Sequence, residues 1–254
     1  MRKSTKATRH DKSAIVLLSG GLDSTVCLWW AKKQEYSRID CLTFEYGSKE
    51  EKVLRATAEK LAELAQISQH QSITLDFLKR FSEQINSSLA QGSDRSLPQL
   101  SPTELDDLAT STQSAHSVWI PARNLVFLSI AAAYAETIGG QVALITGFNL
   151  EEGTTFPDNT EAFIDDFTRT ASRGVLKAEI GVVCPLKGMT KEEIVRLGAQ
   201  LEVPFAYSTS CYDPQGFDPT GKPIHCGICE SCLRRKRGFQ RSDIDDPTVY
   251  QKEI

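Results

Sequence analysis

The apolar positions of this chain fall into short runs that alternate with helical stripes. "AIVLLSGG", beginning at Ala14, is an apolar run that stops at two glycines. A helical pattern follows from Ser24 to about Lys33, so the segment predicts strand, tight turn and helix. "RIDCLTFEYG" predicts a second strand, and in "SKEEKVLRATAEKLAELA" residues Leu54, Ala58, Leu61 and Ala65 share one helical face. "SQHQSITLDF" holds a third, weaker strand. "ARNLVFLSIAAAYAETIG" is apolar almost all round, which predicts a buried helix ending at Gly139. "QVALITGFN" and "GVVCPL" predict a fourth and a fifth strand. Thr190 and Glu193 in "TKEE" make a capping box opening a helix to about Leu201, with Ile194, Leu197 and Leu201 inward.

Strands that alternate with helices predict an α/β fold, a doubly wound parallel five-stranded sheet. In such sheets ligands gather outside the carboxyl ends of the strands. The division expected is a flexible tail over 1–12, an α/β domain over 13–205 and a C-terminal metal-binding helical segment over 206–254. Residues 86–117 are rich in Ser and Thr and poor in large apolar residues, so they read either as a disordered insert or as an active-site lid.

Bulk composition narrows the function classes. The 254 residues are 40% apolar and 24% charged with net charge −4, as in a soluble globular protein. That acidity argues against a stable nucleic-acid partner, which favours basic surfaces. No apolar run approaches the roughly 18 residues of a membrane span. The start, "MRKSTKATRHDKS", lacks the apolar stretch of a secretory signal, so a cytoplasmic location is expected and no membrane partner.

Cys27, Cys41 and Cys184 sit in apolar settings and read as core residues. Cys211, followed by Cys226, Cys229 and Cys232 as C-x-x-C-x-x-C, reads as a metal site in a reducing compartment. Two-residue spacers let thiolates converge, and a distant fourth closes the tetrahedral shell of a structural zinc ion. His225 could replace one ligand, and cysteine-only ligation also serves iron–sulfur clusters. The cationic run "LRRKRGF" that follows is either a solvated face or brings one arginine to phosphates or an acidic substrate.

The glycine turn carries the chemistry. Gly20 and Gly21 can adopt φ > 0 and present amides without side chains in the way. The helix beginning near Asp23 and Ser24 adds unpaired N–H groups and the positive end of its dipole, which suits phosphate. Ser19, Ser24 and Thr25 offer hydroxyls, and Asp23 could engage a magnesium ion held by phosphates. The one string near a Walker A loop, "GFDPTGKP", ends in Pro223 and is flanked by neither strand nor helix.

"SGGLDST" resembles the PP-loop of enzymes that cleave ATP between its α and β phosphates. With "PARNLVFLS" and "SCY…CGICESC", the chain is similar, over roughly residues 13–240, to the 7-cyano-7-deazaguanine synthase family. The resemblance implies a Rossmann-like sheet of the adenine nucleotide α-hydrolase type. It implies ATP on Leu18, Ser19, Gly20, Gly21, Leu22, Asp23, Ser24 and Thr25, with Mg2+, and Zn2+ on the four cysteines. Asp23, Ser24 and Arg123 would be catalytic, and Arg123, Asn124, Glu151, Phe156 and Asp158 would bind substrate. Arg123 and Asn124 also read simply as the start of a helix, and Glu151, Glu152 and Asp158 as solvated loop residues. The implied reaction is ATP-dependent conversion of a small-molecule deazaguanine, 7-carboxy-7-deazaguanine, with ammonia into 7-cyano-7-deazaguanine (preQ0), in a homodimer. Two segments depart from the usual pattern: "YGSKEE", Tyr46–Glu51, lacks the family's glutamine and histidine, and "FPDNT", residues 156–160, lacks its cysteine and arginine. Both resemble the archaeal-type branch. They leave open an enzyme that stops at the amide or passes the activated group to a protein or tRNA; a nucleotide-binding module without catalysis is a separate alternative, against which the intact "SGGLDST" argues.

Overall fold

The computed structural model describes residues 12–101 and 103–252. The expected tail lies outside them except for Lys12, which begins the first strand. The sheet contains β1 (Lys12–Leu17), β2 (Arg38–Glu45), β3 (Gln69–Thr74), β4 (Gly140–Ile145) and β5 (Ala178–Val183), all parallel in the order β3-β2-β1-β4-β5. Val16 of β1 stands opposite Cys41 on one side and Ile145 on the other. Parallel neighbours need long crossovers, and helices supply them. They are α1 (Leu22–Lys32), α2 (Glu51–Leu64), α3 (Asp76–Gln84), α4 (Leu108–Ser117), α5 (Arg123–Ile138), α6 (Leu150–Thr155) and α7 (Glu161–Ala171). After β5 come α8 (Lys191–Gln200) and α9 (Glu230–Ser242), with short strands β6 (Ile224–His225) and β7 (Val249–Tyr250) paired beside them.

Helices cover both faces of the central strand, which is why its sequence is an unbroken apolar run. Ala14, Val16 and Leu18 pack with residues of α1, α2 and α8, while Ile15 packs with Leu128, Ala131 and Ala135 of α5. After β3 the chain returns to the opposite side of β1. The resulting switch point, between the carboxyl ends of β1 and β4, opens a crevice.

Several boundaries differ from expectation for identifiable reasons. Helix α1 starts at Leu22, not Ser24, because Gly21 is its N-cap. Strand β5 starts at Ala178, ahead of "GVVCPL": the Glu136 carboxylate accepts from the amides of Leu176, Lys177 and Ala178 and sets the strand beside β4. Helices α3 and α7 went unread. Helix α7 follows a Thr160 cap and buries Ile164 and Phe167, with Phe163 and Ala171 packed beside them. Within 86–117, Leu89 and Ala90 are buried and residues 108–117 form α4. The capping box of α8 forms as read, and Ile194 is fully buried.

Candidate active site

A cavity of about 330 Å³ fills the crevice, within the size range of small-molecule sites. One lobe is polar and built on the first turn. Gly20 takes φ 83° and lies so close to α2 that a Cβ there would meet the Leu54 carbonyl at 2.7 Å. Gly21, by contrast, has an ordinary φ of −71°, so only the first glycine needs the left-handed region. No side chain caps α1, which leaves the amides of its first turn facing the cavity. Ser19, Gly21, Asp23 and Ser24 line it together with Leu18 and Leu22. Gly20 and Thr25 lie behind, Thr25 fully buried with its hydroxyl donating to the Gly21 carbonyl at 2.7 Å. Gly147, just past β4, touches this turn: a Cβ there would sit 3.2 Å from main-chain atoms of Asp23 and Ser24.

Asp23 is engaged by two residues that the sequence reading did not assign to the site. Lys191, the first residue of α8, donates to both of its carboxylate oxygens, at 2.9 and 2.7 Å, and Asn149 donates at 3.0 Å. Burial would lower the Lys191 pKa, but Asp23 and Glu152 outweigh it and raise it above the usual value. Glu152 behaves the opposite way: burial first, then repulsion by Asp23, pushes its carboxyl up. Asp23 and Glu152 thus repel each other, Lys191 and Arg123 offset this only in part, and a further cation would relieve the strain on Glu152.

The second lobe is apolar and aromatic. Tyr46, Leu89, Val118, Phe127 and Phe156 line it. Phe127 stacks on Phe44 with ring centroids 4.2 Å apart, and Phe156 on Trp119 at 5.9 Å. Arg123 enters between the lobes, 3.5 Å from the Tyr46 hydroxyl. Burial works against its charge, and Tyr46, Glu152 and Asp158 more than restore it. Its helix follows Ala122, a non-glycine residue at φ 49°, a conformation that costs about 1–2 kcal/mol. Asn124 and Asp158 meet each other: the Asn124 amide donates to the Asp158 carboxylate at 3.3 Å, fastening α5 to the 156–160 loop. Glu151 pairs with Arg234 at 3.0 Å and Arg237 at 3.4 Å. Of the arginines in "LRRKRGF", Arg234 reaches the cavity wall, while Arg235 is 1% exposed and bonds the Phe205 carbonyl and the Ser208 hydroxyl.

Behind the polar lobe lies the cysteine cluster. Cys211, Cys226, Cys229 and Cys232 are buried, their sulfurs within 4.8 Å of one another. The Cys226–Cys232 and Cys211–Cys229 separations are 3.9 and 4.0 Å. A tetrahedron of sulfurs about 2.3 Å from one zinc ion has edges of about 3.8 Å, so the donor set fits a single metal ion such as zinc. An iron–sulfur cluster must enclose several irons and needs its sulfurs further apart. The Cys211 sulfur also accepts from the amides of Cys226, at 3.2 Å, and Asp213, at 3.3 Å, as thiolate ligands do. His225 is not in the shell: its Nε2 accepts from the Ser210 amide at 3.1 Å. Thr209, beside that contact, donates its amide to the Gly20 carbonyl at 2.9 Å, so the cluster is tied to the glycine turn. The buried Glu230 joins α9 to the 86–117 segment, taking a hydrogen bond from Ser114 and giving its amide to the Pro98 carbonyl.

Tyr46, Ser48, Glu50, Asn149, Lys191 and Thr209 all line the cavity and were missed. A lone lysine at a helix start and a "YGSKEE" loop carry no motif by themselves. Only the signal that "YGSKEE" departs from the family pattern pointed there. Among the described residues, no helix is long and apolar enough to cross a membrane.

The family model described as queuosine biosynthesis protein QueC matches residues 13–243. A 7-cyano-7-deazaguanine synthase from Pyrococcus furiosus is 45% identical over 239 residues, covering 94% of this chain and 97% of that one. One from Methanothermobacter thermautotrophicus is 41% identical, covering 94% and 99%. Among solved structures, the U34-tRNA thiolase NcsA from Methanococcus maripaludis with its 4Fe-4S cluster aligns with a TM-score of 0.44 at 17% identity, covering 93% of this chain and 66% of that one. That likeness is too slight to bear on fold or chemistry. The chain belongs to the QueC family.

Proposed function

We propose that this protein is an ATP-dependent ligase that turns 7-carboxy-7-deazaguanine and ammonia into 7-cyano-7-deazaguanine. The observation that carries the reading is the joining, in one cavity, of an uncapped helix start suited to phosphate and an aromatic lobe suited to a planar base.

A carboxylate resists ammonia because its charge repels nucleophiles and its oxygen leaves poorly. Attack of that oxygen on the α-phosphorus expels pyrophosphate and gives an acyl adenylate. Ammonia adds to the carbonyl carbon, AMP leaves and a proton is lost, giving the amide. The amide oxygen then takes a second adenylyl group, and loss of AMP and protons leaves the nitrile. The chain's own contribution is positioning and charge. The amides of Leu22, Asp23 and Ser24 with the Ser19 and Ser24 hydroxyls hold the phosphates. Lys191 and Arg123 balance the negative charge that gathers as pyrophosphate departs. Magnesium arriving with the nucleotide would be met by Asp23 and Glu152. Zinc on the four cysteines would brace the floor of the polar lobe, its closed shell leaving no position for substrate. Phe156 would stack on the base, and Asn124 with Asp158 would hold the loop that carries it. We also include in this proposal the homodimer, which sedimentation of the purified chain decides.

Mass spectrometry of a reaction with ATP, ammonium and the acid is expected to show the nitrile, with two AMP and two pyrophosphate per product. Failure of zinc-replete protein to consume the acid would overturn the reading, and accumulation of the amide alone would replace it with the shorter reaction.

A further inference from the structure

Two residues beside the aromatic lobe each keep a polar side-chain atom without a hydrogen-bond partner of good geometry among the described residues. Glu50 is 5% exposed and Ser48 is 1% exposed. Glu50 Oε2 and Ser48 Oγ are both buried and unpaired, and both residues line the cavity. Their backbone, in contrast, is pinned. The Gly47 amide donates to the Glu51 carboxylate, the Lys49 amide to the Leu89 carbonyl at 2.8 Å, and the Gln91 side-chain amide to the Ser48 carbonyl at 3.0 Å. The loop thus holds two polar atoms that no described residue pairs with good geometry, the Glu50 amide and Ser48 giving its carboxyl only partial support, which costs free energy unless a ligand supplies the rest.

We propose that Glu50 and Ser48 form the recognition subsite for the N–H donor edge of a guanine-type base. The argument rests on the deazaguanine substrate proposed above. A carboxylate only accepts hydrogen bonds when ionised, and a guanine-type ring offers it a ring N–H and an exocyclic amino group side by side. Adenine offers an amino group beside a bare acceptor nitrogen, which the ionised carboxylate repels, so in that form Glu50 turns the base of ATP away. Like charge also sets the orientation. The substrate's own carboxylate is repelled by Glu50 and must point to the far end, towards the α1 amides where adenylation would occur. Burial raises the Glu50 carboxyl to about 7, and its own amide, Arg123 and Ser48 offset only part of this, so donors from a bound base would complete what the protein leaves unfinished.

The test measures binding and turnover of wild type, Glu50→Gln and Ser48→Ala with two probes, 7-carboxy-7-deazaguanine and its analogue lacking the 2-amino group. Calorimetry without ATP reads binding apart from the reaction. Loss of a charge-assisted bond is expected to weaken binding of the acid by about 10–100-fold in Glu50→Gln, and by roughly tenfold or less in Ser48→Ala. The wild-type preference for the 2-amino compound should collapse in Glu50→Gln, while the KM for ATP stays within about threefold, since no bond to the nucleotide is removed. Unchanged binding of both probes, or a rise in the ATP KM in place of weaker acid binding, would overturn the proposal. Ser48→Ala decides on the same readouts should Glu50→Gln not fold. Wild type that binds the acid selectively but does not convert it would overturn the ligase reading and leave the subsite standing; wild type that does not bind it would remove both.

Discussion

Replacing Glu50 by glutamine should make the folded protein more stable at neutral and alkaline pH. Glu50 is almost fully buried, and burial lifts its carboxyl from the ordinary 4.5 to about 7 despite the nearby Arg123 charge. At roughly 1.36 kcal/mol for each tenfold change in proton affinity, that rise corresponds to about 3 kcal/mol, an order-of-magnitude figure. The sign follows from counting protons. Between the two values the folded chain keeps a proton that the unfolded chain has lost, so raising the pH favours unfolding. Below pH 4.5 both states are protonated and the penalty vanishes; above pH 7 it is present in full. Glutamine never ionises, so the variant escapes the penalty. Equilibrium urea unfolding of both proteins at several pH values should show the variant's advantage growing from near zero at acid pH to about 3 kcal/mol above neutrality. A difference that stays flat with pH, or a variant less stable at alkaline pH, would refute the assignment of Glu50 as a desolvated, poorly paired carboxyl. The same substitution is expected to weaken substrate binding, the opposition between stability and function found where a site is kept unsatisfied for its ligand.

Three further outcomes test the rest of the site. Lys191→Ala leaves Asp23 and Glu152 without their ammonium and should lower kcat by about 10²–10³-fold in a pyrophosphate-release assay, the usual cost of one electrostatic stabiliser. Gly147→Ala would press a methyl against Asp23 and Ser24, and kcat/KM should fall about tenfold or more with little change in thermal midpoint, because the loop yields before the sheet does. Cys229→Ser should abolish stoichiometric zinc, measured by elemental analysis, and lower the thermal midpoint on the order of 10 °C, since the cluster is tied to the glycine turn through Thr209. Full zinc content in that variant would contradict four-sulfur ligation.

Local signals were strong enough to read the parallel sheet, the glycine turn after its first strand and the four clustered thiols. An apolar run on β1 has no use except between two helical layers, and a turn after it that needs φ > 0 at Gly20 leaves few residue choices. Three cysteines on two-residue spacers can converge whatever else the fold does. Long-range placement was different. Lys191 reaches Asp23 across 168 positions, and it does so because α8 ends its approach beside α1; the capping box marks where α8 begins but not what its first side chain meets. Arg235 reads as one more surface charge until α9 brings it against Phe205, Ser208 and Thr248, where it is buried. Glu50 is the sharpest case: "SKEE" looks like a solvated helix start, and only the folded cavity wall, where Glu50 lies near Ser48 and Arg123, buries it. Chain pattern decides which segments must hide and which turns must bend, because those demands are local. Which charges lose their solvent, and whom they then face, is settled only when separate elements close on one another.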